Sequence, residues 1–250
     1  MHHGFFHWCR ERHQGTVFES HFRLELLMGQ GFIIVVIILV VIGGIALAIY
    51  LEHQRRQFWR DLAAAWGFQY STNDLHSIRD GYPFQFLKQG HSRKVYNVIE
   101  GKEKNRALLL FDFTYKTGSG KNQQTHNTSA LIVHLPIMGM RLNVRPENVL
   151  DRFVAFFGFE DINFEMEEFN RAFQVNCDNK KFAYDIFHPQ MMEYLLQHRN
   201  MAFEWHGDAM IVTFYQRGRF NRESAEQIKA FTHGFIDRIP QYLTHLQIGE

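Results

Sequence analysis

The chain has 250 residues, and its 27 Lys and Arg nearly balance 26 Asp and Glu, so it lacks the basic stripe that nucleic-acid binding needs. Two cysteines, Cys9 and Cys177, exclude a disulfide framework, and Cys177 reads as a buried free thiol in a reducing compartment. Phenylalanine is abundant at 25 residues, which points to a core built on aromatic rings.

Residues 1–27 mix histidines, aromatics and charges without a helical period, a cap or a targeting pattern. They are expected to be a disordered or mis-annotated leader, with Met28 as the natural start. His3 and His7 have the spacing of a helical metal pair and Cys9 is near, but no Cys-x-x-Cys accompanies them, so no metal site is assigned.

Residues 32–51, FIIVVIILVVIGGIALAIYL, carry no charge. As a helix rising about 1.5 Å per residue they measure about 30 Å, the thickness of a bilayer's hydrocarbon. Ala46-Leu47-Ala48 has the small-x-small form of a signal-peptidase site. The apolar run is nevertheless longer than a signal core, continues past that site, and follows Met28-Gly29-Gln30-Gly31 with no cation. A retained membrane span in contact with lipid is the expectation.

Arg55, Arg56 and Arg60 crowd the C-terminal flank, and Arg23 alone lies close on the other side. Positive residues stay cytoplasmic, so the domain after the anchor should be inside and the N-terminus outside. Together with Trp59, these arginines form an expected membrane-interface set, each cation adding about 1 kcal/mol near anionic lipid. Gly44 and Ala48 make a small-xxx-small pair, a weak signal for self-association.

Helical spacing of Leu51, Phe58, Leu62, Ala65 and Trp66 extends the membrane helix to about Trp66, where Gly67 offers a stop. The domain of 67–250 should open with a strand at Phe68–Tyr70. Strand-like runs follow at Tyr82–Lys88, Lys94–Glu100, Ala107–Tyr115, Thr128–Leu135 and Met140–Val144, with short polar connections that favour antiparallel pairing. Pro146 suits the first turn of a helix over Glu147–Phe157, ended by Gly158.

In the second half the pattern predicts a short helix at Glu165–Arg171 and a strand at Ala172–Asn176. Helices follow from an Asp178 cap over Asn179–Phe187 and from Pro189 to His198. Met201–Trp205 and Ala209–Gln216 read as a hairpin around His206-Gly207-Asp208. Asn221 caps a last helix with Ala225, Ile228, Phe231, Phe235 and Ile239 on one face, and Pro240 breaks it. Strand runs followed by helices, without βαβ alternation, predict an α+β fold with a mainly antiparallel sheet, and two subdomains divided near 159–164 are an option.

Chemistry is harder to find. Thr117-Gly118-Ser119-Gly120-Lys121 invites comparison with a P-loop, but Tyr115 and Asn122 stand at the positions of its first glycine and its hydroxyl, and the loop leads to a strand. Nucleotide hydrolysis is rejected. Free N–H groups of Gly118, Ser119 and Gly120, with Lys121 and His126, remain a candidate anion site in the loop of 116–127, against the plainer reading of a solvated hairpin tip. Asp112 and His134 interrupt apolar strands. If paired they would form an acid–base couple, but alternation with Leu109, Phe111, Phe113 and Tyr115 places Asp112 on an expected solvent face. No HExxH, Gly-x-Ser-x-Gly or other catalytic set occurs, so neither a catalytic residue nor a metal or other cofactor is assigned.

Phe111–Tyr115, Thr117–Lys121 and Thr125-His126 resemble a run in uncharacterised bacterial membrane-anchored proteins. Phe169–Val175, with Asp178, Ala183 and Pro189–Leu196, is similar to the C-terminal part of the same group. Its members carry a domain of unknown function after one or two membrane spans, and the resemblance runs from about Trp59 to Phe220. It implies a bacterial envelope protein and transfers no activity.

Three functions follow as expectations. The first is a single-pass inner-membrane protein whose cytosolic domain binds a protein partner, or itself, as a scaffold. The second is a membrane-tethered enzyme or ligand receptor that uses Lys121, His126 and Asp112. The third is a reader of lipid headgroups through Arg55, Arg56, Arg60, Trp59 and Trp66. The second requires its side chains to converge on one concave pocket.

Overall fold

A computed structural model of the chain describes residues 4–74, 77–147, 161–215 and 218–245, with side chains between 33 and 243. It divides into two compact units, residues 1–55 and 56–250.

The first unit is helical. Helix α1 spans Gly4–Trp66, ending inside the second unit, and takes in the residues expected to form a leader. From Ile33 to Leu51 every side chain is exposed, so none of this apolar stretch is buried among the described residues. A helix apolar all round satisfies its own backbone and suits hydrocarbon, whereas in water it would expose far more apolar surface than folded proteins tolerate. The chain therefore carries one candidate membrane span near its N-terminus, followed by a sheet domain.

The second unit is an α+β domain on one antiparallel sheet. Its strands are β1 (Gln69–Asn73), β2 (His91–Glu103), β3 (Arg106–Thr117), β4 (Gln124–Pro146), β5 (Phe173–Cys177) and β6 (Met201–Phe214). Strands β1 to β5 pair in sequence order, and β6 pairs β4 on its other edge. Strand β4 organises the sheet. Its first half pairs β3 from Leu108↔Val133 to Thr117↔Gln124, and its last residues pair β5 from Leu142↔Cys177 to Pro146↔Phe173. Leu131 and Leu142 each face β6 as well, at Val212 and Trp205, so β3 and β5 lie end to end along one edge.

Both faces of this sheet are packed, but unequally. One carries Ile99, Leu110, Leu131, Val133 and Val212, and the larger core forms there. It is covered by α5 (Lys180–Ile186), α6 (Pro189–Leu196), α7 (Arg222–Ile236) and the last turns of α1, whose Trp59 and Leu62 are fully buried. The other face carries Leu109, Phe111, Phe113, Ile132 and Ile211, capped by a compact plug of Ile78, Phe84, Phe86 and Leu87. That plug comes from two single-turn helices, α2 (Ile78–Gly81) and α3 (Gln85–Lys88).

Local chemistry explains most boundaries. Gly67 takes φ +68 directly after Trp66, the left-handed turn that ends a helix at low cost. Asn221 accepts from the Ser224 N–H at 2.8 Å while Ser224 Oγ accepts from the Asn221 N–H, a reciprocal cap on α7. The apolar stripe read on α7 is buried throughout, from Ala225 to Phe235. The other described helices are α4 (Glu167–Ala172) and, after Pro240, α8 (Gln241–His245).

Four expectations are corrected. Tyr82–Lys88 is no strand: it turns into α3, because Glu204 satisfies the helix's first N–H groups. The two strands over 128–144 are one, β4, bent by irregular register between His134 and Leu142. The hairpin at 206–208 is likewise one strand, β6, in which Gly207 takes φ +62 opposite Gly139. Asn179, and not Asp178, caps α5 by accepting from the Phe182 N–H. The helix expected over Glu147–Phe157 lies outside the described residues beyond Glu147, as do residues 159 and 160 of the boundary near 159–164.

Candidate functional site

The plug covers only part of its sheet face. On the rest, the inward positions turn polar: His126 and Thr128 at the start of β4, Asn143 and Arg145 at its end. Beside them stand Asn176 of β5, and Glu204 and Thr213 of β6. With Phe86 and Gln89 as one wall they enclose a cavity of about 430 Å³, within the range that holds a drug-sized ligand.

Each polar group has a definite environment. Glu204 accepts from the Gln85 N–H at 2.6 Å and the Phe86 N–H at 2.8 Å, capping α3 from across the sheet. Burial pushes its carboxyl up to about 7, and the two N–H donors, Lys88 and Arg141 pull the other way. Arg145 donates from Nε and Nη2 to Gln174 Oε1, and Asn176 Nδ2 donates to Asp161 at 2.5 Å. His126 lies on Tyr115 with ring centroids 4.8 Å apart and planes 17° from parallel, and Tyr115 in turn stacks on Phe113. Gln89 keeps a buried Nε2 with no hydrogen-bond partner in the structure.

The residues singled out from sequence meet this cavity at one point. Gly118, Ser119, Gly120 and Lys121 sit at the exposed tip between β3 and β4, a single 3₁₀ turn over Gly120–Asn122. The tip is tethered, since His91 Nε2 lies 3.0 Å from the Gly118 carbonyl and His126 Nε2 lies 2.8 Å from Thr117 Oγ1. Lys121 does not reach the cavity; His126 does.

Asp112 is a correction of a different kind. It is fully buried on the helix-covered face, where it accepts from Trp59 Nε1 at 2.8 Å, Asn97 Nδ2 at 3.1 Å and Ser129 Oγ at 2.6 Å. Alternation separated Asp112 from Phe111 and Phe113 as expected, but the face it occupies is the larger core. His134 is elsewhere, between Tyr82 at 3.0 Å and Asp208 at 2.9 Å. Lys121, His126 and Asp112 therefore do not converge.

The proposed interface residues also part company. Trp59 is a core residue bonded to Asp112, and Trp66 donates to Glu226 beneath Lys229. Arg56 and Arg60 are exposed and Arg55 is half-buried, with the Arg60 guanidinium over Tyr70. Among the described residues no cluster of His, Cys, Asp or Glu is placed to hold a metal ion. Cys177 is a buried free thiol whose pKa is raised by that burial.

Sequence reasoning missed Glu204, Asn143, Arg145 and Thr213. Their signal was the two-residue alternation of Asn143 with Arg145 and of Ala202 with Glu204, which the expected breaks in β4 and β6 concealed.

No known family model matches the chain, and no curated protein matches it. Among solved structures, the crystal structure of the mycobacterial trehalose monomycolate transport factor A, TtfA, is similar in fold. Its TM-score is 0.56, and the match covers 73% of this chain and 93% of that one at 11% identity. At that identity the likeness is one of fold.

Proposed function

We propose that this chain is a single-pass inner-membrane protein whose sheet domain faces the cytoplasm and binds a small molecule in the cavity beside α3. It acts in a binding or transport role and not in catalysis. The observation that carries this reading is the cavity itself: a sheet face dry under the plug opens beyond it into a space of mixed apolar and polar lining, with a volume suited to a ligand. The arginine-rich C-terminal flank of the span supports the orientation. The protein of like fold has transport in its name, and a ligand-holding domain tied to a bilayer suits work of that kind.

Ala202 lies on the cavity wall, so Ala202→Trp fills the space from a strand that stays in register. Native mass spectrometry of the full chain, released from detergent, should show a small-molecule adduct on the parent protein that the tryptophan variant lacks. Bare and identical spectra for both would count against the reading. A protein partner is a second function, favoured by Met138 and Met140, both exposed where β4 bends. Replacing both by serine would abolish co-purification of such a partner.

A further inference from the structure

The charges that line the cavity are already engaged within the protein. Among its described lining residues Arg145 is the only Lys or Arg and Glu204 the only acid. Arg145 is held by Gln174, and both Glu204 oxygens accept backbone N–H groups of α3. Among these described residues a phosphate or a carboxylate would meet one arginine and no cluster of cations. Much of the remaining wall is apolar, so a ligand must also present an apolar surface.

Among the other polar groups on the wall are neutral, bifunctional ones, including the amides of Gln89 and Asn143 and the hydroxyls of Thr128 and Thr213. These groups both donate and accept. Gln89 lines the cavity with its Nε2 buried and without an acceptor in the structure. At the β3–β4 end, the Tyr115–His126 stack offers a flat aromatic surface.

Resting on the binding function above, we infer that the cavity takes a neutral polyhydroxylated ligand, a sugar or sugar headgroup of one or two rings. Such a ligand presents hydroxyls that donate and accept at the same oxygen, which matches Gln89, Asn143 and Thr213. Its C–H faces are apolar and pack on an aromatic plane. It also carries no charge that would need a counter-ion.

Calorimetric titration of the full chain in a sugar-free polyoxyethylene detergent tests this. The probes are trehalose, maltose, glucose and myo-inositol, with inorganic phosphate and decanoate as the charged and the aliphatic comparison. At least one of the four polyols should bind saturably, one to one, and Ala202→Trp should abolish it. Gln89→Leu should weaken binding about tenfold, the loss of one buried hydrogen bond. That variant keeps or raises thermal stability, because it removes an unsatisfied amide, so lost binding cannot be put down to lost folding. Binding of phosphate or decanoate without any polyol would overturn the ligand class while leaving the cavity as a binding site. Silence from all six probes, with native spectra unchanged by Ala202→Trp, would overturn both.

Discussion

Asp112, fully buried, and Glu204, half-buried, are two carboxylates on opposite faces of one sheet, and their partners give them different tasks. Asp112 gathers donors from the end of α1, from β2 and from β4, so it ties the foot of the helix to the sheet. Replacing it by alanine orphans three buried donors at once. Asp112→Ala should therefore destabilise the domain by about 3 kcal/mol or more in denaturant unfolding, and Asp112→Asn, which keeps one acceptor oxygen, by less. Glu204 gives a pH signature. Its folded pKa of about 7 stands above the ordinary 4.5, so between these values the folded state keeps a proton that the unfolded state releases. Stability should fall as pH rises from about 4.5 to about 7, by about 2–3 kcal/mol, and level off above. Glu204→Gln should flatten that slope in unfolding curves taken across the range. The side chosen by Asp112 was legible from alternation. That this side was buried was not, because it depends on helices about 50 to 120 residues away in sequence that cover it.

Elements were read best where the signal was local. The cap at Asn221, the stop at Gly67, the proline start of α6 and the pairing of β3 with β4 all rest on neighbours in sequence. Errors came where long-range contacts overrode local cues. Gly207 looked like turn punctuation and Gly139 fell between two expected strands, yet both lie inside long strands. A Cβ at Gly139 would stand 2.3 Å from the Trp205 ring, so the strand passes there only because the side chain is absent. Gly139→Ala should cost about 1–3 kcal/mol in thermal unfolding, the usual penalty of overpacking. The loop at 118–121 differs. Register is regular up to Thr117↔Gln124, so a shorter Asn-Gly turn should preserve the sheet by circular dichroism. Lys121→Ala, at an exposed tip outside the cavity, should change stability by no more than about 0.5 kcal/mol. A larger effect of Lys121→Ala on cellular activity than of Ala202→Trp would move the site from the cavity to the tip.

For the whole molecule, anchor and cavity were unequally visible. The span follows from composition alone, and a reporter fused after Glu250 should be active as a cytoplasmic fusion, with periplasmic activity reversing the orientation. The cavity is assembled from β4, β5, β6 and α3, and no single stretch of sequence contains it. The central claim is that this cavity is occupied in the cell. Thr213→Cys, placed on Cys9→Ser, puts a reactive thiol in the cavity, while the buried Cys177 with its raised pKa reacts slowly. The direct measurement is the rate of labelling by a membrane-permeant maleimide in intact cells, compared with the same protein purified and washed free of small molecules. The account predicts several-fold slower labelling in cells, where the ligand covers residue 213. Equal rates in both settings would contradict it.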